Sequence, residues 1–139
     1  MAGLQQFVAC AMAAERVVID SGYLIESLLP TKREYKHQAD RLMEAMRDGQ
    51  VQGLVPYLFF HELAAVCARK QRARHVQADD VEAFMESVES CGFELDLTIM
   101  GPLDLYHQAI RNGCQAADAV YVELARVSNA SLATIDGGM

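Results

Sequence analysis

The chain has 139 residues, 52% of them hydrophobic and 22% charged; this excludes a disordered protein and lets one domain bury roughly two-thirds of the surface the unfolded chain exposes. The formal net charge of −7 argues against nucleic-acid binding by broad electrostatics, which needs phosphates neutralised by Lys and Arg, but it leaves room for an enzyme whose metals carry the positive charge. Cys10, Cys67, Cys91 and Cys114 stand far apart with no C-x-x-C pair, so they read as reduced and mostly buried rather than as zinc ligands or a redox motif.

Residues 1 to 16 form an N-terminal extension that opens MAGLQQFVACAMAAE. It lacks the basic n-region and the unbroken apolar run of a signal peptide, and nothing in the chain approaches the roughly 18 to 20 apolar residues of a membrane span. The expectation is a cytoplasmic protein with no membrane contact. From residue 17 short apolar runs alternate with helical periods, which predicts strand 17–20, helix 22–29, helix 34–48, strand 51–55 and helix 57–73. Asp48-Gly49 breaks the chain before the second strand, and Pro56 follows that strand and precedes a helix. The second half repeats the theme with helix 78–91, strand 93–98, helix 102–112, helix 116–128 and strand 131–135. Ala78-Asp79-Asp80 opens its helix with acids suited to the helix dipole, and Cys91-Gly92 closes it.

Strands separated by helices predict an α/β fold, with a parallel sheet, right-handed crossovers and helices on both faces. Residues 17–139 then make one domain, because no repeat, low-complexity stretch or linker divides them.

Four carboxylates stand where an apolar run meets a turn or a helix: Asp20 in VVIDSGYLI, Glu62 in VPYLFFHELAAV, Asp118 in AADAVYVELA and Asp136 in SLATIDGG. A carboxylate in apolar surroundings is costly to desolvate unless a cation, a donor or a turn justifies it. Singly, each has an ordinary explanation. Asp20 and Asp118 suit helix caps, Asp136 followed by Gly suits a tight turn, and Glu62, with Leu58, Phe59, Ala65 and Val66 as helical neighbours, suits a buried pair with an Arg such as Arg69. Jointly, they have a shared one. In open parallel sheets ligands gather outside the carboxyl ends of the strands, and the predicted elements bring all four acids to that edge. A pocket of hard oxygen donors there suits Mg²⁺ or Mn²⁺, which activates water and steadies a phosphate.

The basic residues are uneven. Arg69, Lys70, Arg72, Arg74 and His75 crowd one stretch and Lys32, Arg33 and Lys36 another; the first run makes a local basic rim, with Arg69, Lys70, Arg72 and Arg74 as candidates for RNA binding, and reads equally as a solvated helix end. His61-Glu62 lacks the second His of a zinc-protease H-E-x-x-H motif, since position 65 is Ala65. There is no P-loop or G-x-S-x-G, and Asp20-Ser21-Gly22 lacks the second acid of a D-x-D phosphoacceptor.

From about Val17 to Met139 the chain resembles PIN-domain proteins, in particular the VapC-type toxins of toxin–antitoxin pairs. The matching pieces are VVIDSGYLI, LVPYLFFHELAAV, the Asp-Ala-x-Tyr helix AADAVYVELA and the Thr-x-Asp motif in LATIDGG. The resemblance implies a three-layer α/β/α domain with a central parallel sheet of four or five strands. It also implies a metal-dependent endoribonuclease in which Asp20, Glu62, Asp118 and Asp136 surround one or two Mg²⁺ or Mn²⁺ ions. By that analogy Asp20 is the central ligand, Asp136 an outer or second-metal ligand, and Ser21 and Thr134 orient acids or waters. The reaction would be phosphodiester hydrolysis leaving a 5′-phosphate and a 3′-hydroxyl. RNA, a second copy of the chain and a cognate antitoxin are the implied partners. A PIN-like interaction module without productive nuclease activity is the alternative. Two departures stand out: Gly22 replaces the family's usual Ser or other small polar residue, and the chain stops at Gly137-Gly138-Met139, where the family continues into a further helix or turn and a fifth strand. A missing or truncated last strand is therefore expected.

Overall fold

The structure is a computed structural model that describes residues 14–113 and 115–135. Residues 1–13 of the expected extension, Cys10, Cys114 and the candidate ligand Asp136 lie outside the described residues. Within them the chain forms strands β1 (Glu15–Ile19), β2 (Val51–Pro56), β3 (Glu94–Asp96) and β4 (Ser131–Ala133). The helices are α1 (Ser21–Ile25), α2 (Arg33–Arg47), α3 (Leu58–Arg72), α4 (Ala78–Glu89), α5 (Pro102–Asn112) and α6 (Ala116–Ser128).

The strands form one sheet in the order β3-β2-β1-β4, with every pairing parallel. Each parallel step needs a crossover, and the helices that supply the crossovers cover both faces of the sheet, giving the expected three-layer α/β/α arrangement. The central strand shows this most plainly. Val17, Val18 and Ile19 of β1 are buried consecutively, as a strand covered on both faces requires. The helices meet the sheet through stripes at helical spacing: Ala39, Met43 and Met46 on α2, Phe59, Leu63 and Cys67 on α3, and Val81, Phe84 and Val88 on α4. From α6 come Ala119, Tyr121 and Leu124. Gly53 in β2 marks the tightest approach, since a Cβ there would sit 2.3 Å from Met46 Cε and 3.0 Å from both Ile19 Cδ1 and Phe93 Cδ1.

Cys67 and Cys91 are free and buried, as expected of reduced cysteines. Several element boundaries differ from the sequence expectation, each for a local reason. β1 begins at Glu15 rather than 17, because pairing with β2 already starts at Glu15 opposite Val51. The helix expected over 22–29 regularises only over Ser21–Ile25. The chain continues in turns to Leu29, because Pro30 disfavours α geometry before it and Glu26 is buried, with its carboxylate accepting from the Thr31 amide (2.6 Å) and hydroxyl (2.7 Å). β3 ends at Asp96 rather than 98: its partner strand ends at Pro56, which has no amide to donate, and the Asp96 carboxylate accepts from the Thr98 hydroxyl at 2.9 Å, turning the chain away. β4 likewise pairs only as far as Ala133, opposite Ile19.

Candidate functional site

Asp20 follows the last residue of β1, so its backbone is still held by the sheet: its amide donates to the Ala133 carbonyl of β4 at 3.1 Å. It occupies the cap position of α1, where the amides of Ser21 and Gly22 favour its charge although none makes a capping hydrogen bond of good geometry. Glu62 sits in the second turn of α3, the helix that leaves the carboxyl end of β2. Asp118 is in the first turn of α6. Three separate segments thus deliver three carboxylates to one edge of the sheet.

The three are near enough for their charges to act on one another. Burial raises the Asp20 pKa above the ordinary carboxylate range, and the charge of Asp118 pushes it the same way; the amides of Gly22 and Ser21 and the Thr134 hydroxyl pull it back only in part. Thr134 Oγ1 lies 3.5 Å from Asp20 Oδ2, a long contact. Burial also raises Glu62, and the charges of both Asp20 and Asp118 add to it against the opposing Tyr121 hydrogen bond. None of the ion pairs among the described residues involves Asp20 or Glu62. The pairing of Glu62 with Arg69 considered from sequence does not form; Arg69 is exposed.

Glu62 is held instead by Tyr121, whose hydroxyl donates to Oε1 at 2.5 Å. Tyr121 is fully buried. Burial and the adjoining Glu62 carboxylate hold its phenol far above the ordinary range, so it remains a proton donor across physiological pH. Sequence reasoning did not single it out as a site residue. The available signal was its place three residues after Asp118, a spacing that puts both on one helical face.

Ser21 is buried beside Asp20, near the Tyr121 hydroxyl. Gly22 contributes no side chain, and a Cβ there would be in ordinary contact with Asp20 Oδ2 at 3.4 Å. Of the basic run, Arg69, Arg72 and Arg74 are exposed, whereas Lys70 is half-buried and lines a cleft of about 540 Å³ that also takes in Ser21, Gly22 and His75. Among the described residues no group of three or more His, Cys, Asp or Glu side chains is placed to hold a metal ion.

Fold and site together define a parallel three-layer α/β/α domain with Asp20, Glu62 and Asp118 near the carboxyl edge of its sheet. No family model and no curated protein matches the chain. Among solved structures it is similar to the crystal structure of PAE2754 from Pyrobaculum aerophilum, with a TM-score of 0.59 and 21% identity over 90% of this chain and 84% of that one. At that identity the likeness carries the fold alone.

Proposed function

We propose that the protein is a metal-dependent endoribonuclease of the PIN-domain type, acting as the toxin of a toxin–antitoxin pair in the cytoplasm. The observation that supports this reading best is the convergence of Asp20, Glu62 and Asp118 on the sheet edge where open parallel folds bind ligands. Carboxylates whose pKa is raised by burial and by one another form a negative cluster that a cation relieves, and oxygen donors are those that Mg²⁺ or Mn²⁺ prefers. In kind, then, the residues fit such an ion. Asp20, Glu62 and Asp118 would hold it, with waters completing a shell that three carboxylates do not close, and Asp136 would add an outer ligand. Once bound, the ion stabilises charge on the phosphate and lowers the pKa of the attacking water.

The chain's own part is positioning. The backbone bond to Ala133 ties Asp20 to the sheet. The Tyr121 hydroxyl orients Glu62 and leaves its second oxygen for another partner. RNA is the substrate and a cognate antitoxin the partner that covers the cleft. The test is purified protein on a panel of structured RNAs with Mg²⁺ or Mn²⁺, beside Asp20→Asn. Cleavage that is lost in the variant supports the reading; cleavage that survives the substitution, or its absence from wild type with either metal, overturns it.

A second reading, an interaction module without productive nuclease activity, is favoured by one observation: the described residues place no group of three metal-binding side chains around a single point. Titration calorimetry with Mn²⁺ separates the two, since a module of that kind binds no ion at the acidic edge.

We also propose a homodimer. Helix α5 buries no residue and exposes Leu103, Tyr106 and Ile110 at i, i+3 and i+7, and the segment leading into it exposes Leu97 (70%) and Ile99 (76%). These exposed apolar side chains are the surface a second copy would cover, in an interface that typically takes roughly 800 Å² from each partner.

A further inference from the structure

One cleft is lined both by Ser21 and Gly22, which follow Asp20 in the chain, and by Lys70 and His75. Its volume, about 540 Å³, falls in the range of small-ligand sites, roughly 300–1,000 Å³. Ile25, Leu29 and Val66 are among its apolar lining residues. Glu26 also lines it, but both of its carboxylate oxygens accept hydrogen bonds from Thr31. The basic side chains that line it are those of Lys70 and His75.

A local backbone device brings those two together. At the end of α3 the His75 amide donates back to the Lys70 carbonyl at 2.9 Å and the Arg74 amide to Gln71 at 2.9 Å, while Arg74 takes the left-handed conformation at φ 62°. This is the glycine-type ending of a helix built with an arginine, a conformation that costs about 1 kcal/mol or more for a residue with a Cβ. The strained turn folds His75 back beside Lys70. Lys70 takes part in none of the ion pairs among the described residues.

We propose that this cleft is a single-nucleotide subsite for single-stranded RNA, in which its apolar side chains receive an unstacked base and Lys70 with His75 holds the phosphate next to it. The inference rests on the ribonuclease reading and deepens it. Apolar side chains beside a lysine and an imidazole that can donate suit a base joined to a phosphate, and a base reaches such a recess only when it is free of a duplex. The remaining basic residues of the run lie outside it. Arg69 and Arg72, exposed and not among the residues lining the cleft, play no part in this subsite.

The probe is a fluorescein-labelled hexaribonucleotide, single-stranded or annealed to its complement, titrated by anisotropy against Asp20→Asn protein so that no cleavage intervenes. Lys70→Ala and His75→Ala, added singly, should each weaken single-strand binding about tenfold, and Lys70→Ala should lower the salt slope by about 0.7. Lys70→Arg should restore most of the affinity, and Arg69→Ala and Arg72→Ala should stay within about twofold of the parent. The duplex should bind at least tenfold more weakly than the single strand. Unfolding curves of each variant show whether it is folded. Equal losses in the Arg69 and Lys70 variants, equal affinity for duplex, or no binding of RNA at all by folded protein overturns the subsite. Capture of an acidic peptide in place of RNA makes the cleft a protein groove and overturns it too. Cleavage by wild type with Mg²⁺ or Mn²⁺ is scored separately: Lys70-dependent binding without cleavage defeats only the ribonuclease reading, and cleavage with Lys70-independent binding defeats only the subsite.

Discussion

Asp20 is nearly enclosed, at 9% exposure, and its neighbours at the sheet edge include two further acids. On the proposed reading its position serves function at the expense of stability, and the sign of that conflict is testable. Because the folded-state pKa values of Asp20 and Glu62 are raised, the folded protein binds more protons than the unfolded chain between the ordinary carboxylate range and the raised values. Stability without metal is therefore greatest below the ordinary range, about pH 4, as far as these two groups decide it, and falls as pH climbs through the window. Thermal unfolding in EDTA from pH 4 to 8 should show that fall, and a smaller one in Asp20→Asn. At neutral pH Asp20→Asn should melt about 3–6 °C higher than wild type in EDTA, on the order of 1 kcal/mol for a domain of this size. Millimolar Mg²⁺ or Mn²⁺ should reverse that order, since the wild type binds the ion better and a ligand specific to the folded state stabilises it. An Asp20→Asn protein that melts lower in EDTA, with no shift on adding metal, would make Asp20 a structural residue.

Helix ends are where single residues set the geometry. Arg74 stands in the left-handed conformation that Gly113 and Asn129 adopt at the ends of α5 and α6, and its exposed side chain gains no hydrogen bond or ion pair among those described. The expected order of stability is Arg74→Gly equal to or above wild type, with Arg74→Val lowest, because a β-branched residue is an outlier at positive φ. Urea midpoints should span about 1–2 kcal/mol between the glycine and valine variants. A valine variant as stable as the glycine one would mean that the turn rearranges, and with it the pairing of Lys70 and His75. Elsewhere the helix stripes were legible from spacing alone, as in Phe59, Leu63 and Cys67 of α3. The ends were not, because they depend on partners distant in sequence or on side chains turned inward, as Glu26 is toward Thr31.

Across the whole molecule, most apolar surface left uncovered among the described residues lies on α5 and the segment before it. With Leu103, Tyr106 and Ile110 as the contact of the proposed dimer, Leu103→Asp with Ile110→Asp should convert it to a monomer without loss of fold, because these side chains support nothing inside. Light scattering at micromolar protein reads the mass directly. A monomer mass for wild type would count against the dimer. No helix among the described residues is long and apolar enough to cross a membrane.

Local pattern determined the order of strands and helices, their parallel class and three of the acids that the structure brings to one edge, because apolar periodicity and turn residues act over a few neighbours. It was enough to place Asp20, Glu62 and Asp118 at the ends of elements, and a parallel sheet aligns those ends. Tertiary structure alone decided which partner each acid takes. Tyr121 is 59 residues from Glu62 in sequence and 2.5 Å from it in space, and no spacing rule links them. It likewise decided that Lys70 turns into a cleft while Arg69 and Arg72 face solvent. A run of cations has one charge pattern in sequence, but helical rotation and the packing of α1 against α3 divide it between a recess and the open surface.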